Sequence, residues 1–139
     1  MISFEGFKTE DGTPVYQQIL LYIKRGAVAG TIADGDDLPS RRMLSALLGI
    51  NPNTVQKAFR LLEEEGLIES RMGAGSVMVL SEEKVAQLRR ELLTDDIRGI
   101  TRALKLTGVG RDEALALIEQ YWDEEDAEAG GKEAGNEEA

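Results

Sequence analysis

The sequence predicts a mainly α-helical fold with a small β-wing: a winged helix-turn-helix followed by a C-terminal hairpin of two helices. Three stretches carry that prediction. Residues 40–65 read as a short helix, a three-residue turn at Gly49-Ile50-Asn51 and a longer helix stopped by Gly66. Residues 67–79 hold two strand-like runs around Arg71-Met72-Gly73-Ala74-Gly75. Residues 82–126 repeat apolar side chains at helical spacing on both sides of a break at 107–110.

In chain order, residues 1–13, with Gly6 and Asp11-Gly12, look like an extended N-terminal arm. Thr13 is placed to cap a helix whose first residue is Pro14, and Val15, Ile19, Tyr22 and Ile23 give that helix an apolar stripe. Gly30 ends it. Residues 31–33 suit a short strand and Asp34-Gly35-Asp36 a turn. Ser40 is a good N-cap for the next helix, which leaves Arg41 and Arg42 in the first turn, where they oppose the helix dipole. Two cations set against the dipole suit contact with a phosphate; a solvent-exposed pair is the plain alternative.

The helix over 52–65 splits into two stripes at about 100° per residue. Val55, Ala58, Phe59 and Leu62 form a face to be buried. Opposite them stand Asn53, Gln56, Lys57 and Arg60, all able to donate hydrogen bonds to base edges or phosphates. Asn51 caps this helix and Pro52 suits its first turn, where a missing N–H costs nothing. Its N-terminus then offers free N–H groups and partial positive charge to an anion. A solvated surface helix has the same two stripes, so the flanks decide between them.

One such flank is the hairpin over 67–79, the wing. Gly73 and Gly75 permit positive φ and a close backbone approach, as a tip entering a minor groove needs; a plain hairpin whose glycines only turn the chain is the other reading. A phosphate-binding P-loop fits worse, since a strand follows these glycines and no Lys-Ser/Thr pair does. Residues 82–106 place Val85, Leu88, Leu92, Ile97, Ile100 and Leu104 near helical spacing, and 111–126 resume with Leu115, Ile118, Tyr121 and Trp122. A lone helical hairpin cannot enclose its own apolar face. The expected cover is a second copy of the chain, with packing onto the winged helix in cis as the alternative. Residues 127–139, acidic and with Gly130-Gly131, read as a disordered tail.

Composition narrows the function. The chain of 139 residues has room for one domain and an appendage. It has no cysteine and no histidine, which removes disulfides, thiolate nucleophiles, imidazole bases and the usual zinc ligands. No catalytic residue, metal or cofactor is expected. No basic-then-apolar leader and no stretch of eighteen apolar residues occurs, so the expectation is a soluble cytoplasmic protein without a membrane contact. Taken as a sum, the net charge of −10 opposes nucleic acid, yet residues 14–80 hold seven basic and seven acidic side chains, and residues 81–139 hold eight and sixteen. The acidity is mostly C-terminal. Arg41, Arg42, Lys57, Arg60 and Arg71 gather near the reading helix, which implies modest, salt-dependent DNA affinity.

Residues 14–80 resemble the winged-helix DNA-binding domain of GntR-type bacterial transcription regulators. The resemblance rests on Leu38-Pro39-Ser40 with Arg42 and Leu44, on Gly49-Ile50-Asn51-Pro52-Asn53-Thr54-Val55, on Leu62-Glu63-Glu64-Glu65-Gly66-Leu67-Ile68 and on Gly73-Ala74-Gly75-Ser76-Val77. It implies DNA contact by Arg42, Asn51, Asn53, Thr54, Gln56 and Gly73. Together with the residue reading, the candidate DNA-binding set is Ser40, Arg41, Arg42, Asn51, Asn53, Thr54, Gln56, Lys57, Arg60, Arg71, Gly73 and Gly75. Pro52 departs from the many members with a basic or polar contact residue there. The Asn51-Pro52-Asn53-Thr54 form and the short C-terminal region resemble the YtrA-like branch, which implies repression, commonly beside transporter genes.

The candidate dimerisation residues are Leu88, Leu92, Ile97, Ile100, Leu104, Leu115, Ile118 and Trp122. The partners expected are double-stranded DNA, a second copy of the chain and, left open, a small-molecule effector. Its pocket would lie between the C-terminal helices and the winged helix, or at the dimer seam. A winged helix serving only as a protein-protein module is the competing reading. An enzyme is not expected, because 59 residues after the wing cannot house the aminotransferase domain that some GntR-like proteins carry.

Overall fold

The computed structural model describes residues 1–73 and 75–138, with side chains through Glu124. The chain divides into two compact units, Met1–Leu93 and the residues from Thr94 onward. The first unit holds α1 (Val15–Ala29), α2 (Arg41–Leu48), α3 (Pro52–Glu64), β1 (Ile68–Arg71), β2 (Gly75–Met78) and the first half of α4 (Glu82–Leu106). The second holds the rest of α4 and α5 (Arg111–Glu138).

Apolar stripes at helical spacing make the core of the first unit. Ile19 and Ile23 of α1, Leu44 of α2, and Val55, Ala58, Phe59 and Leu62 of α3 are all buried. Each large aliphatic or aromatic side chain withdrawn from water contributes about 1.5–3 kcal/mol. This core extends beyond 14–80 in both directions. Ile2 and Phe4 of the arm belong to it, and so does Leu88 of α4. The arm has no regular structure, but it is fastened. Ile2 N donates to Asp37 O at 2.8 Å, Tyr22 Oη donates to Ser3 O at 2.6 Å, and the Phe4 and Tyr22 rings stack with centroids 5.0 Å apart.

Three expectations are corrected at α1 and the segment after it. The helix starts at Val15, and its N-cap is Pro14 with no side-chain cap. Gln18 instead ties the preceding segment to the helix: its amide donates to Glu10 O and Thr13 O at 2.9 and 2.7 Å and accepts from Glu10 N at 2.8 Å. Gly30 does close the helix, at φ +87°. Residues 31–33 form no strand, because Ile32 is drawn back onto the helix end: its N–H bonds Gly26 O at 3.1 Å and its side chain is buried. The segment at Asp37 pairs with β2 instead, bridging to Val77, with Leu38 N donating to Ser76 O at 3.0 Å and Met78 N to Asp36 O at 2.8 Å.

The wing is the antiparallel pair β1–β2, in the register Ile68↔Met78, Glu69↔Val77, Ser70↔Ser76 and Arg71↔Gly75. In the second unit α4 and α5 are joined by a turn in which Gly108 takes φ +80° and the Gly108 N–H bonds Lys105 O at 3.0 Å. No large apolar side chain among its described residues is fully buried. The disordered tail expected over 127–139 lies beyond the residues whose side chains the structure describes.

Candidate nucleic-acid interface

The helix pair presents its second member with both ends defined. Gly49 closes α2 at φ +65°, and the buried Ser45 hydroxyl donates to Ile50 O at 2.6 Å, which pins the turn. Asn51 Oδ1 accepts from Asn53 N at 2.8 Å, so α3 is capped as its sequence implies and Pro52 occupies its first turn. With Val55, Ala58, Phe59 and Leu62 buried, Asn53, Gln56, Lys57 and Arg60 stand exposed on the other side and Thr54 is half-buried at the edge.

The four outer side chains are not equivalent. Arg60 leans along its own helix toward Glu64, Nε to carboxylate 3.8 Å. Lys57 reaches across to α1, its ammonium 4.0 Å from the centroid of the Tyr16 ring. Asn53 and Gln56, nearest the N-terminus, carry the amides suited to base edges. This end of a reading helix is the one that meets bases in a helix-turn-helix. Asn51 spends its carbonyl oxygen on the cap and keeps only its NH₂ for an acceptor.

The two arginines of α2 part company. Arg42 is exposed, as a phosphate contact requires. Arg41 is half-buried: its guanidinium lies 5.2 Å from the centroid of the Phe59 ring, and its Nε is buried without a partner among the described residues. Arg41 therefore braces α2 against α3, a role the cation pair in the sequence did not suggest. Ser40 Oγ accepts from Met43 N at 3.1 Å as the N-cap and keeps its hydroxyl hydrogen to donate. At the wing, Gly73 and Gly75 take φ +76° and +70°, and Arg71 is exposed at the end of β1. Met72 is fully exposed, at 103%.

Residues 15–78 match the family described as bacterial regulatory proteins, gntR family. The HTH-type transcriptional regulator YhcF of Bacillus subtilis is 30% identical over 112 residues, 81% of this chain and 93% of that one. The chain belongs to the GntR family. The HTH-type transcriptional repressor YtrA of Bacillus subtilis is 38% identical over 86 residues, 58% of this chain and 66% of its own. Among solved structures, a GntR family transcriptional regulator from Listeria monocytogenes matches at TM-score 0.71 and 28% identity, over 81% of this chain and 98% of that one. YtrA from Sulfolobus acidocaldarius matches at TM-score 0.50 and 33% identity, over 66% and 92%. These likenesses place the chain with the YtrA-like regulators and make the unit just described a DNA-binding winged helix.

As a GntR regulator the chain carries its remaining candidate residues in the second unit, except Leu88 and Leu92, which lie in the first. Leu88 is 6% exposed within the winged-helix unit, so it packs in cis and drops out of the dimerisation set. Leu92 and Leu104 are half-buried. Ile97, Ile100, Leu115, Ile118 and Trp122 are exposed, Ile97 at 60% and Trp122 at 67%. Each unit has a sizeable cleft among its described residues. One of about 610 Å³ is lined by Ile2, Tyr22, Arg25, Ile32 and Asp36; one of about 370 Å³ lies between α4 and α5 and is lined by Ile97, Ile100, Leu104, Leu115 and Ile118. No helix among the described residues is long and apolar enough to cross a membrane. Sequence reasoning singled out neither Tyr16, beside which the Lys57 ammonium lies, nor Met72, fully exposed at the wing. The first sits on a helix read only for its apolar stripe, the second between residues that drew the attention.

Proposed function

We propose that this GntR regulator is a cytoplasmic homodimeric repressor, possessing no catalytic activity, that binds a palindromic operator with α3 in the major groove and the wing tip at the minor groove. The observation that carries the reading is the capped N-terminus of α3, with Asn53 and Gln56 exposed over a fully buried Val55, Ala58, Phe59 and Leu62. That geometry lets two amides meet adenine edges, where a good bidentate pair discriminates by about 1–3 kcal/mol. Arg42, Lys57 and Arg71 supply sequence-independent contacts to the phosphates. Dimerisation through α4 and α5 is supported by the exposure of Ile97, Ile100, Leu115, Ile118 and Trp122. A single reading head gives little specificity; two on one two-fold axis read half-sites about 34 Å apart. The repressor name of the Bacillus YtrA supports repression, and control of a transporter operon is the corresponding expectation.

Binding curves on the chain's own upstream region and on a scrambled duplex, across a range of salt, test this. Asn53→Ala and Gln56→Ala should relax the preference for the specific duplex, and Arg42→Ala should weaken both equally. An Asn53 variant that loses both duplexes to the same extent would show the roles to be misassigned. The competing protein-protein module is favoured if neither duplex is bound.

A further inference from the structure

The flank of the reading helix holds an arrangement that its own sequence did not announce. Lys57 belongs to the exposed face of α3, yet its ammonium sits 4.0 Å from the centroid of the Tyr16 ring on α1. Tyr16 is half-buried in the first turns of α1 and packs against the core, so the ring is a fixed platform. No carboxylate pairs with Lys57 among the described residues, and an ammonium facing a ring with one side keeps N–H donors for an acceptor on the other. The Tyr16 hydroxyl accepts from Gln17 Nε2 at 3.1 Å, which leaves its own hydrogen to donate. A cationic donor and a neutral donor are thus held side by side where the first turns of α1 adjoin α3.

We infer that Tyr16 is a positioning residue for Lys57 and that the two together grip one DNA backbone phosphate, so that the start of α1 is part of the DNA interface. This rests on the proposed reading of α3 as the major-groove helix. The occupant is a phosphate and not a base because both donors are indifferent to sequence and lie to the side of Asn53 and Gln56, where a groove is bordered by backbone. A free lysine loses much of its side-chain freedom when it binds. One already resting on a ring loses less, and an exposed cation–π contact is worth about 0.5–1 kcal/mol, or roughly two- to five-fold in affinity.

The test uses the full chain and a random-sequence duplex, read by fluorescence anisotropy at several salt concentrations, with wild type, Tyr16→Leu, Tyr16→Phe, Lys57→Met and the two double variants. Lys57→Met should weaken binding and lower the salt slope by about one. Tyr16→Leu should weaken it roughly two- to five-fold, and Tyr16→Leu with Lys57→Met should bind no worse than Lys57→Met alone. Tyr16→Phe keeps the ring and should keep the wild-type salt slope, with a smaller loss that also vanishes when Lys57 is Met. Losses that add, or a Tyr16→Leu variant that binds as well as wild type or better, overturn the inference. Should Tyr16→Leu melt early, the cycle with Tyr16→Phe decides on the same criterion. A wild-type chain that binds no duplex overturns the DNA reading itself; a wild type that binds without coupling between Tyr16 and Lys57 overturns this inference alone.

Discussion

Lys84 Nζ donates a 2.7 Å hydrogen bond to the carbonyl oxygen of Gly66, fastening the first turn of α4 to the turn that closes α3. Gly66 stands at φ +74°, and the residue before it, Glu65, pairs with Lys24 of α1 at 2.9 Å. Two lysines from different helices therefore converge where the reading helix stops.

Lys84→Met should lower stability by about 1–3 kcal/mol, since the Lys84–Gly66 bond is part-buried and its loss leaves a carbonyl unsatisfied. In a unit of this size that is a melting-temperature drop of roughly 4–8 °C per kcal/mol. Lys24→Met breaks a pair whose Glu65 partner is half exposed, and should move the melt far less. Thermal melts of the two variants side by side check the ordering; equal shifts would contradict it.

Gly26 offers a second stability test. A Cβ placed there would come within 2.5 Å of Ile32 Cδ1 and 2.8 Å of Ile32 Cγ1, and Ile32 is itself buried. Alanine normally favours a helix interior by up to about 1 kcal/mol over glycine. Here overpacking, typically 1–3 kcal/mol, outweighs that gain, so Gly26→Ala should destabilise. Chemical denaturation of Gly26→Ala, and of Gly26→Ala with Ile32→Val to restore room, measures it. A stabilised single variant would mean that Ile32 moves aside freely.

The reading of 40–65 survives in detail because a capped amphipathic helix writes both ends and its buried face into local sequence: Ser40, Asn51, Pro52 and the stripe from Val55 to Leu62 are where their spacing puts them. The wing was legible for a similar reason, since two glycines at positive φ are what a tight tip needs. Long-range contacts were not. Nothing local marks Leu88 as facing the winged helix in preference to another chain, because a helical stripe says which side is apolar and not what covers it. The same holds for Arg41 over Phe59 and Lys57 over Tyr16, where the partner lies on another helix. The strand expected at 31–33 failed because Ile32 is claimed by a tertiary contact with α1, and pairing fell to Asp37.

At the wing, positive φ at Gly73 changes what a substitution tests. Valine at φ +76° is strained whatever it touches, so Gly73→Val should cost stability as well as DNA binding, although open space surrounds the added Cβ. Asparagine visits this region far more readily. Gly73→Asn should therefore leave the melt nearly unchanged while it adds a side chain at the tip, and any loss of affinity then reports on a close approach to DNA. Melts and binding curves on both variants separate the effects; a Gly73→Asn variant with wild-type affinity would mean that the tip keeps its distance.

The last prediction concerns where the chain can be cut. A boundary after residue 80 would remove Leu88, which is part of the core, and Lys84, which ties α4 to Gly66. A fragment of residues 1–93 keeps both and should melt cooperatively, whereas 1–80 should be several kcal/mol less stable, since a buried leucine lost from a core alone costs about 2–5 kcal/mol. If dimerisation resides in the second unit, 1–93 should be monomeric by light scattering and should bind the specific duplex weakly, because two heads on one body make the second contact effectively intramolecular. Removing only 127–139 should leave the dimer intact. It should also tighten DNA binding at low salt by deleting acidic charge, a gain that fades as salt rises. A dimeric 1–93 fragment would move the interface into the winged-helix unit, and a monomeric full-length chain at micromolar concentration would leave the exposed residues from Ile97 to Trp122 without the partner assigned to them.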